Sequence, residues 1–186
     1  KPVSISANPS KIKFDGESTI TSSHESLEYT IKFENGDSAE DLFEIVDGKL
    51  KLKADKSIGE ETKKLMIQSK GTSTYAPSNA VSVIVYGGIF ITGVDKLPLS
   101  TGHRTSESKL TVKNALGEVT WSIKAEDNEQ YVISTDEDGS YLVTKDDKTI
   151  LKLYSNGKIE AGTAAGMVTI TATENGQEAE HTVKVT

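Results

Sequence analysis

The stretch STDEDGSY holds the sharpest chemical candidate in this sequence, with Asp136, Glu137 and Asp138 set directly before Gly139. Adjacent carboxylates ahead of a glycine offer hard oxygen ligands of the kind calcium takes, with Asp136 and Asp138 as the donors. The spacing does not match a helix-flanked calcium loop, and the nearby KAEDNE would have to supply further ligands from elsewhere in the fold. A charged, solvated hairpin tip needs no ion. The expectation is therefore no metal, with calcium at Asp136 and Asp138 as the alternative. TKDDKT, carrying Asp146-Asp147, is a weaker version because its own lysines flank it.

Other chemistry is thin. His24, His103 and His181 are the three histidines; they lie far apart in polar surroundings, and no pair has metal-ligand spacing. They read as surface residues. Cysteine is absent, which removes disulfides and thiolate nucleophiles. There is no nucleophile elbow, phosphate loop or dinucleotide fingerprint. A carboxylate pair can hydrolyse a glycoside, yet nothing marks such a pair among 28 acids, and aromatics are only 6% of the chain, lean for a sugar cleft. The expectation is a chain that is not an enzyme, with no catalytic residues and no cofactor.

Aromatic residues are the remaining candidates. Trp121, the sole tryptophan, is expected to plug the space between two sheets, with ligand stacking as the alternative. Tyr29, Tyr75, Tyr86, Tyr131, Tyr141 and Tyr154 are the other platforms on which a glycan could stack, and Tyr141 and Tyr154 are the binding candidates. The competing reading makes them ordinary strand aromatics.

The elements that would position these residues are strands. Alternation is strict in GMVTITATENGQ, where Val168, Ile170 and Ala172 are expected to face a core. Thr169, Thr171 and Thr173 would then face solvent or a neighbouring strand. Leu27, Tyr29, Ile31 and Phe33 share one face of SLEYTIKF, and Val81, Val83 and Val85 share one face of NAVSVIVYG. Asn35-Gly36, Asp47-Gly48 and Asn175-Gly176 supply turns that tolerate positive φ. GDSAEDLFEI and IGEETKK are each long enough for a short helical turn and too short for an independent helix.

A chain of 186 residues suits two immunoglobulin-sized sandwiches better than one. Gly87-Gly88 marks the join. The expected fold is all-β: two tandem immunoglobulin-like β-sandwich domains, residues 1–87 and 88–186, nearly fixed relative to each other because so short a join makes a poor tether. FEIVDGKLKLKAD in the first half echoes LKLYSNGKIEAGT in the second.

The net charge of −7 and the scattered lysines argue against nucleic acid, which needs a clustered cationic surface. No window is apolar enough to span a bilayer as a helix. The chain opens at Lys1 with neither an initiator Met nor a signal peptide, so a mature fragment of a longer exported polypeptide is expected.

VTWSI at Val119 to Ser122 and beyond, NGK at Asn156 to Lys158, Ala161-Gly162 and the Thr169 to Thr173 strand resemble, in order and spacing, bacterial immunoglobulin-like domains of group 2. The resemblance covers about residues 90–186; such domains recur in intimins, invasins, other surface adhesins and some phage particles. The segment between Trp121 and Asn156 is longer than the pattern by about one hairpin. YTIKF, FEIVDGKLKLK, LMIQSKG and SNAVSVIVYG, in that order in the first half, are similar, more weakly, to a cadherin-like module, without the acidic calcium signatures of that family. The resemblance implies a non-catalytic structural or adhesive module of a bacterial cell-surface or secreted protein, acting as a rigid spacer or protein-binding unit, monomeric within a larger polypeptide. The implied partner is a protein or glycan on a host or neighbouring surface. Alternatives are a carbohydrate-binding accessory module and a decoration domain of a phage particle.

Overall fold

A computed structural model describes residues 3–25, 27–124 and 131–186, and among them every regular element is a β-strand. The chain divides into two compact units, one ending at Gly88 and one running from Ile89 to Thr186. The two segments expected to make short turns do no more than that: Leu42 and Phe43 both donate their N–H to Ala39 O, and Glu61 N–H bonds Ile58 O, single turns that go no further.

Unit 1 contains β1 (Ile5–Asn8), β2 (Lys11–Lys13), β3 (Ser18–Ser22), β4 (Tyr29–Phe33), β5 (Phe43–Val46), β6 (Lys49–Leu52), β7 (Thr62–Ser69) and β8 (Val81–Tyr86). One sheet has the order β1-β3-β6-β5 and the other β2-β8-β7-β4. With β1 as strand A and β8 as strand G, this is A-B-E-D facing C-F-G, the constant-type immunoglobulin arrangement. The first strand changes sheets: β1 pairs antiparallel with β3, and after Pro9 the chain continues as β2, parallel to β8. Pro9 suits the switch because it offers no N–H to a ladder.

Unit 2 contains β9 (Phe90–Thr92), β10 (Lys96–Leu97), β11 (Glu107–Lys109), β12 (Thr111–Lys113), β13 (Thr120–Lys124), β14 (Val132–Thr135), β15 (Tyr141–Lys145), β16 (Lys148–Leu153), β17 (Lys158–Ala161), β18 (Gly166–Glu174) and β19 (Gln177–Val185). One sheet is β10-β19-β18-β13 and the other β11-β17-β16-β15-β14, while β12 pairs with β9. The extra length after Trp121 forms the β14–β15 hairpin, added at the edge beside β16. The echoed segments occupy equivalent places: β5–β6 neighbours β3 in unit 1, and β16–β17 neighbours β11 in unit 2.

The all-β, two-sandwich expectation holds, and each unit has its own core. Ile20, Phe43 and Leu50 of one sheet meet Ile31, Leu65, Ile67, Val83 and Val85 of the other in unit 1. Val143, Ile150, Leu153 and Ile159 meet Val168, Ile170, Ala172 and Val183 in unit 2. Each of these side chains larger than alanine adds roughly 1.5–3 kcal/mol relative to exposure, set against the entropy of ordering the chain. Asp47-Gly48, with φ of 49° and 74°, and Asn175-Gly176, with 49° and 82°, close two-residue hairpins whose primed turns need positive φ at both positions.

Of the two surroundings expected for the threonines of β18, solvent or a neighbouring strand, Thr169 and Thr171 take the second, and both are buried. β18 is an inner strand, so its second face is covered from both neighbours: Thr169 Oγ1 lies 3.0 Å from Thr182 Oγ1, and Lys124 of β13 reaches across to Glu180 of β19 at 2.8 Å. His24 and His181 are half-buried rather than fully exposed; His181 Nε2 lies 3.1 Å from Val94 O and 3.5 Å from Asp95 Oδ1.

Candidate functional site

The acidic stretch forms the tip of the β14–β15 hairpin. Asp136 N–H bonds Ser140 O at 2.8 Å and Gly139 N–H bonds Asp136 O at 2.9 Å, with Gly139 at φ 78°. Asp136 and Asp138 share one cation: Lys152 Nζ lies 2.7 Å from Asp136 Oδ2 and 3.1 Å from Asp138 Oδ2. Sheet register explains the meeting, because Lys152 on β16 is aligned with Leu142 of β15, which in turn is aligned with Ser134 of β14.

Electrostatics follow from these contacts. Lys152 is the main cause holding the Asp136 carboxyl below its usual range. Asp138 is lowered to about 2, chiefly by the Ser140 hydroxyl and amide and then by Lys152. Lys152 is pushed up in return by Asp136 and Asp138. A calcium ion between these carboxylates would have to displace the ammonium already there. Among the described residues no group of three or more His, Asp or Glu side chains is placed to hold a metal. Residues 125–129, the bulk of KAEDNE, lie outside the described residues.

Tyr154 and Tyr141 fall on opposite faces of the same sheet. Tyr141 is aligned with buried Leu153 and packs against the core. Tyr154 faces outward between two lysines, with Lys152 Nζ 5.1 Å and Lys158 Nζ 5.4 Å from its ring centroid. Its hydroxyl donates to Glu160 Oε2 at 2.9 Å, and Lys158 is held at 2.7 Å by both Glu107 and Glu160. Burial, then the Glu160 bond, raises the Tyr154 hydroxyl, while Lys158 is the main cause lowering Glu160. The ring thus sits among ammonium groups each engaged by two carboxylates, and a sugar stacking there would have to move them. Trp121 is half-buried, packs against the unit 2 core and reaches the β16–β17 turn at Gly157.

Unit 1 offers a different feature that the sequence did not single out. A groove of about 470 Å³ opens between β4 and β5. Ile31 and Phe43 line it from the core, Leu27, Tyr29 and Ile45 are half-buried in its walls, and Glu28, Glu40, Glu44, Lys53 and Lys70 rim it. At one end of the same unit, the loop before β4 meets the loop before β8: His24 and Tyr75 rings lie 4.1 Å apart, and Lys70 N–H bonds Glu28 O at 2.8 Å. Tyr29 was legible as one of six tyrosines; Leu27 and Ile45 looked like routine alternation, and only the sheet order reveals that β4 and β5 are both edges.

No family model and no curated protein matches this chain. Among solved structures it is similar to the D00-D0 domain of intimin, at 13% identity over all of this chain and 98% of that one, with a TM-score of 0.40. It is also similar to the I-band fragment I67-I69 from titin, at 11% identity over all of this chain and 65% of that one, TM-score 0.40. A third is the N-terminal four Ig domains of Dscam1 isoform 9.44, at 14% identity over all of this chain and 45% of that one, TM-score 0.33. The chain spans less than two thirds of the titin and Dscam1 fragments. The immunoglobulin-like assignment rests on the strand order itself.

Proposed function

We propose that this chain is a non-catalytic structural and adhesive module of a bacterial cell-surface or secreted protein, a spacer that holds its shape under tension. One observation carries the reading: in each unit an N-terminal strand runs parallel to the last strand. Lys11, Ile12 and Lys13 are aligned with Ile84, Val85 and Tyr86, flanked by Ile84 N–H to Ser10 O at 2.9 Å and Phe14 N–H to Tyr86 O at 2.8 Å. In unit 2, Lys96 and Leu97 are aligned with Lys184 and Val185, with Lys184 N–H to Asp95 O at 2.9 Å and Thr186 N–H to Leu97 O at 3.0 Å.

Tension on the two ends of a unit pulls such a pair along the strand axis in opposite directions. The hydrogen bonds then share the load and must fail together, whereas in an unzipping geometry they fail one at a time. Single-molecule pulling through both chain ends should give two separate unfolding events. Handles at Ser10 and Ala80, which precede β2 and β8 and so sit at the same end of the parallel pair, should release unit 1 at lower force. Equal forces for the two attachments would defeat the proposal.

A further inference from the structure

Antiparallel pairing turns the N–H and C=O of alternate residues towards the partner strand and those of the others away. On β4, Glu28 O accepts from Lys70 N–H, so Tyr29, Ile31 and Phe33 turn outward. Residues 37–40 strap part of that edge: Ala39 N–H bonds Ile31 O at 2.9 Å, Phe33 N–H bonds Asp37 O at 2.8 Å, and Ile31 N–H reaches Glu40 Oε1 at 3.4 Å.

β5 has no such strap among the described residues. Leu42 O accepts from Lys53 N–H, which turns Phe43 and Ile45 outward. Phe43 N–H is taken by Ala39 O, but Phe43 C=O and both backbone groups of Ile45 meet no partner among the described residues. Of the devices that protect natural sheet edges, Phe43-Glu44-Ile45-Val46 has a short length and the charge of Glu44 but neither Lys nor Pro, and Val46 is 43% exposed. Beside this open edge runs the groove whose walls carry Leu27, Tyr29 and Ile45 and whose rim is charged.

The geometry points to strand addition: an extended polypeptide segment of another protein pairs with β5 at Ile45 and lays alternate apolar side chains into the groove. The occupant is polypeptide because the free groups are main-chain donors and acceptors at strand spacing. It presents apolar side chains to Leu27, Tyr29 and Ile45, because charged neighbours of the groove are already engaged within the unit: Lys70 by Glu28 at 3.2 Å, Lys51 by Glu44 at 3.7 Å, and Lys53 Nζ by the main-chain Glu40 O at 2.6 Å. A second copy of β5 is a poor occupant, since its Phe43 is committed to its own core. This surface is separate from the tension-bearing strands, so peptide binding depends on β5 and the pulling result on β2, β8, β10 and β19.

The test is selection of a displayed random-peptide library on the whole chain, followed by hydrogen exchange of the complex. Enriched peptides should alternate apolar residues and protect above all the Ile45 amide, the one β5 N–H turned outward without a partner among the described residues. Ile45→Pro, which removes an outward N–H and leaves the β5–β6 ladder bonds, and Val46→Lys, which installs an edge charge, should each weaken binding roughly tenfold or more. Circular dichroism and thermal melts establish that the variants are folded, and Val46→Lys, at an exposed position, serves if Ile45→Pro unfolds. Peptides that protect a different strand, bind both variants as well as the parent, or are never enriched would overturn the proposal. So would a concentration-dependent dimer that both variants abolish, because the edge would then serve self-association.

Discussion

The Trp121 indole lies against Gly157, close enough that a β-carbon on Gly157 would sit 2.8 Å from Trp121 Cζ2 and 2.7 Å from Leu110 O. Gly157 is also at φ 81°, a conformation side chains rarely adopt. The turn between β16 and β17 is thereby locked beneath a residue of the opposite sheet. Trp121 is aligned with Ala172 on β18, so this contact ties the two layers of unit 2 together.

Gly157→Ala should therefore cost about 2–4 kcal/mol, combining the left-handed backbone penalty with overpacking against backbone and indole. Urea denaturation should show unit 2 weakened and unit 1 unchanged. A loss below about 0.5 kcal/mol would mean that the turn relaxes freely away from Trp121.

The β15–β16 hairpin turns through Asp146 and Asp147, both at positive φ, 49° and 60°, with no glycine to relieve the second position. Asp147→Gly should stabilise unit 2 by about 0.5–1 kcal/mol. A raised thermal midpoint for unit 2 checks this; no change would indicate that Asp147 makes a compensating contact.

Much of the fold was legible because its signals are local. Asp47-Gly48 and Asn175-Gly176 specify primed turns, and Val83 and Val85 alternate with Ser82 and Ile84 as a half-buried strand requires. Ala161-Gly162 marks a close approach that no larger residue allows, a β-carbon on Gly162 falling 2.0 Å from Thr149 O. What stayed hidden depends on pairing. Lys152 is one lysine among many until register sets it beside Asp136 and Asp138. Tyr141 and Tyr154, similar in sequence, part to opposite faces because an odd interval separates Tyr154 from Leu153, the partner of Tyr141. Burial of Thr169 and Thr171 follows from the inner position of β18, which alternation alone cannot supply.

Glu174 is 1% exposed at the end of β18, and its Oε1 accepts the backbone N–H of Leu116 at 2.5 Å and of Gly117. Leu116 is 46% exposed and Gly117 is exposed, so water can reach part of this turn, and Glu174→Ala, which removes the shared acceptor, should cost about 1–2 kcal/mol. Glu174→Gln keeps a carbonyl oxygen for the same amides and should cost less than half as much. Equal losses would show that charge, not acceptance of these two bonds, is what the site requires.

The last prediction separates the two carboxylates of the acidic tip. Asp136 is held down first by Lys152, whereas Asp138, lowered to about 2, is held down first by Ser140. In Lys152→Met, carboxylate titration by nuclear magnetic resonance should therefore show Asp136 returning most of the way to its ordinary value and Asp138 remaining clearly depressed. The sign of the linkage follows from the depressed values. A carboxylate whose folded pKa lies below its unfolded one adds stability at pH above the unfolded value, near 3.8 for Asp138, and that contribution is lost as pH falls towards about 2. Hydrogen-exchange protection in residues 132–145, taken relative to the intrinsic rate at each pH, should accordingly fall across that acid window in the parent protein. In the variant the exchange should already be faster near neutral pH, because the cation joining the hairpin tip to β16 is gone. Identical exchange in both proteins would show that the backbone ladder between β15 and β16 holds the added hairpin without help from Lys152.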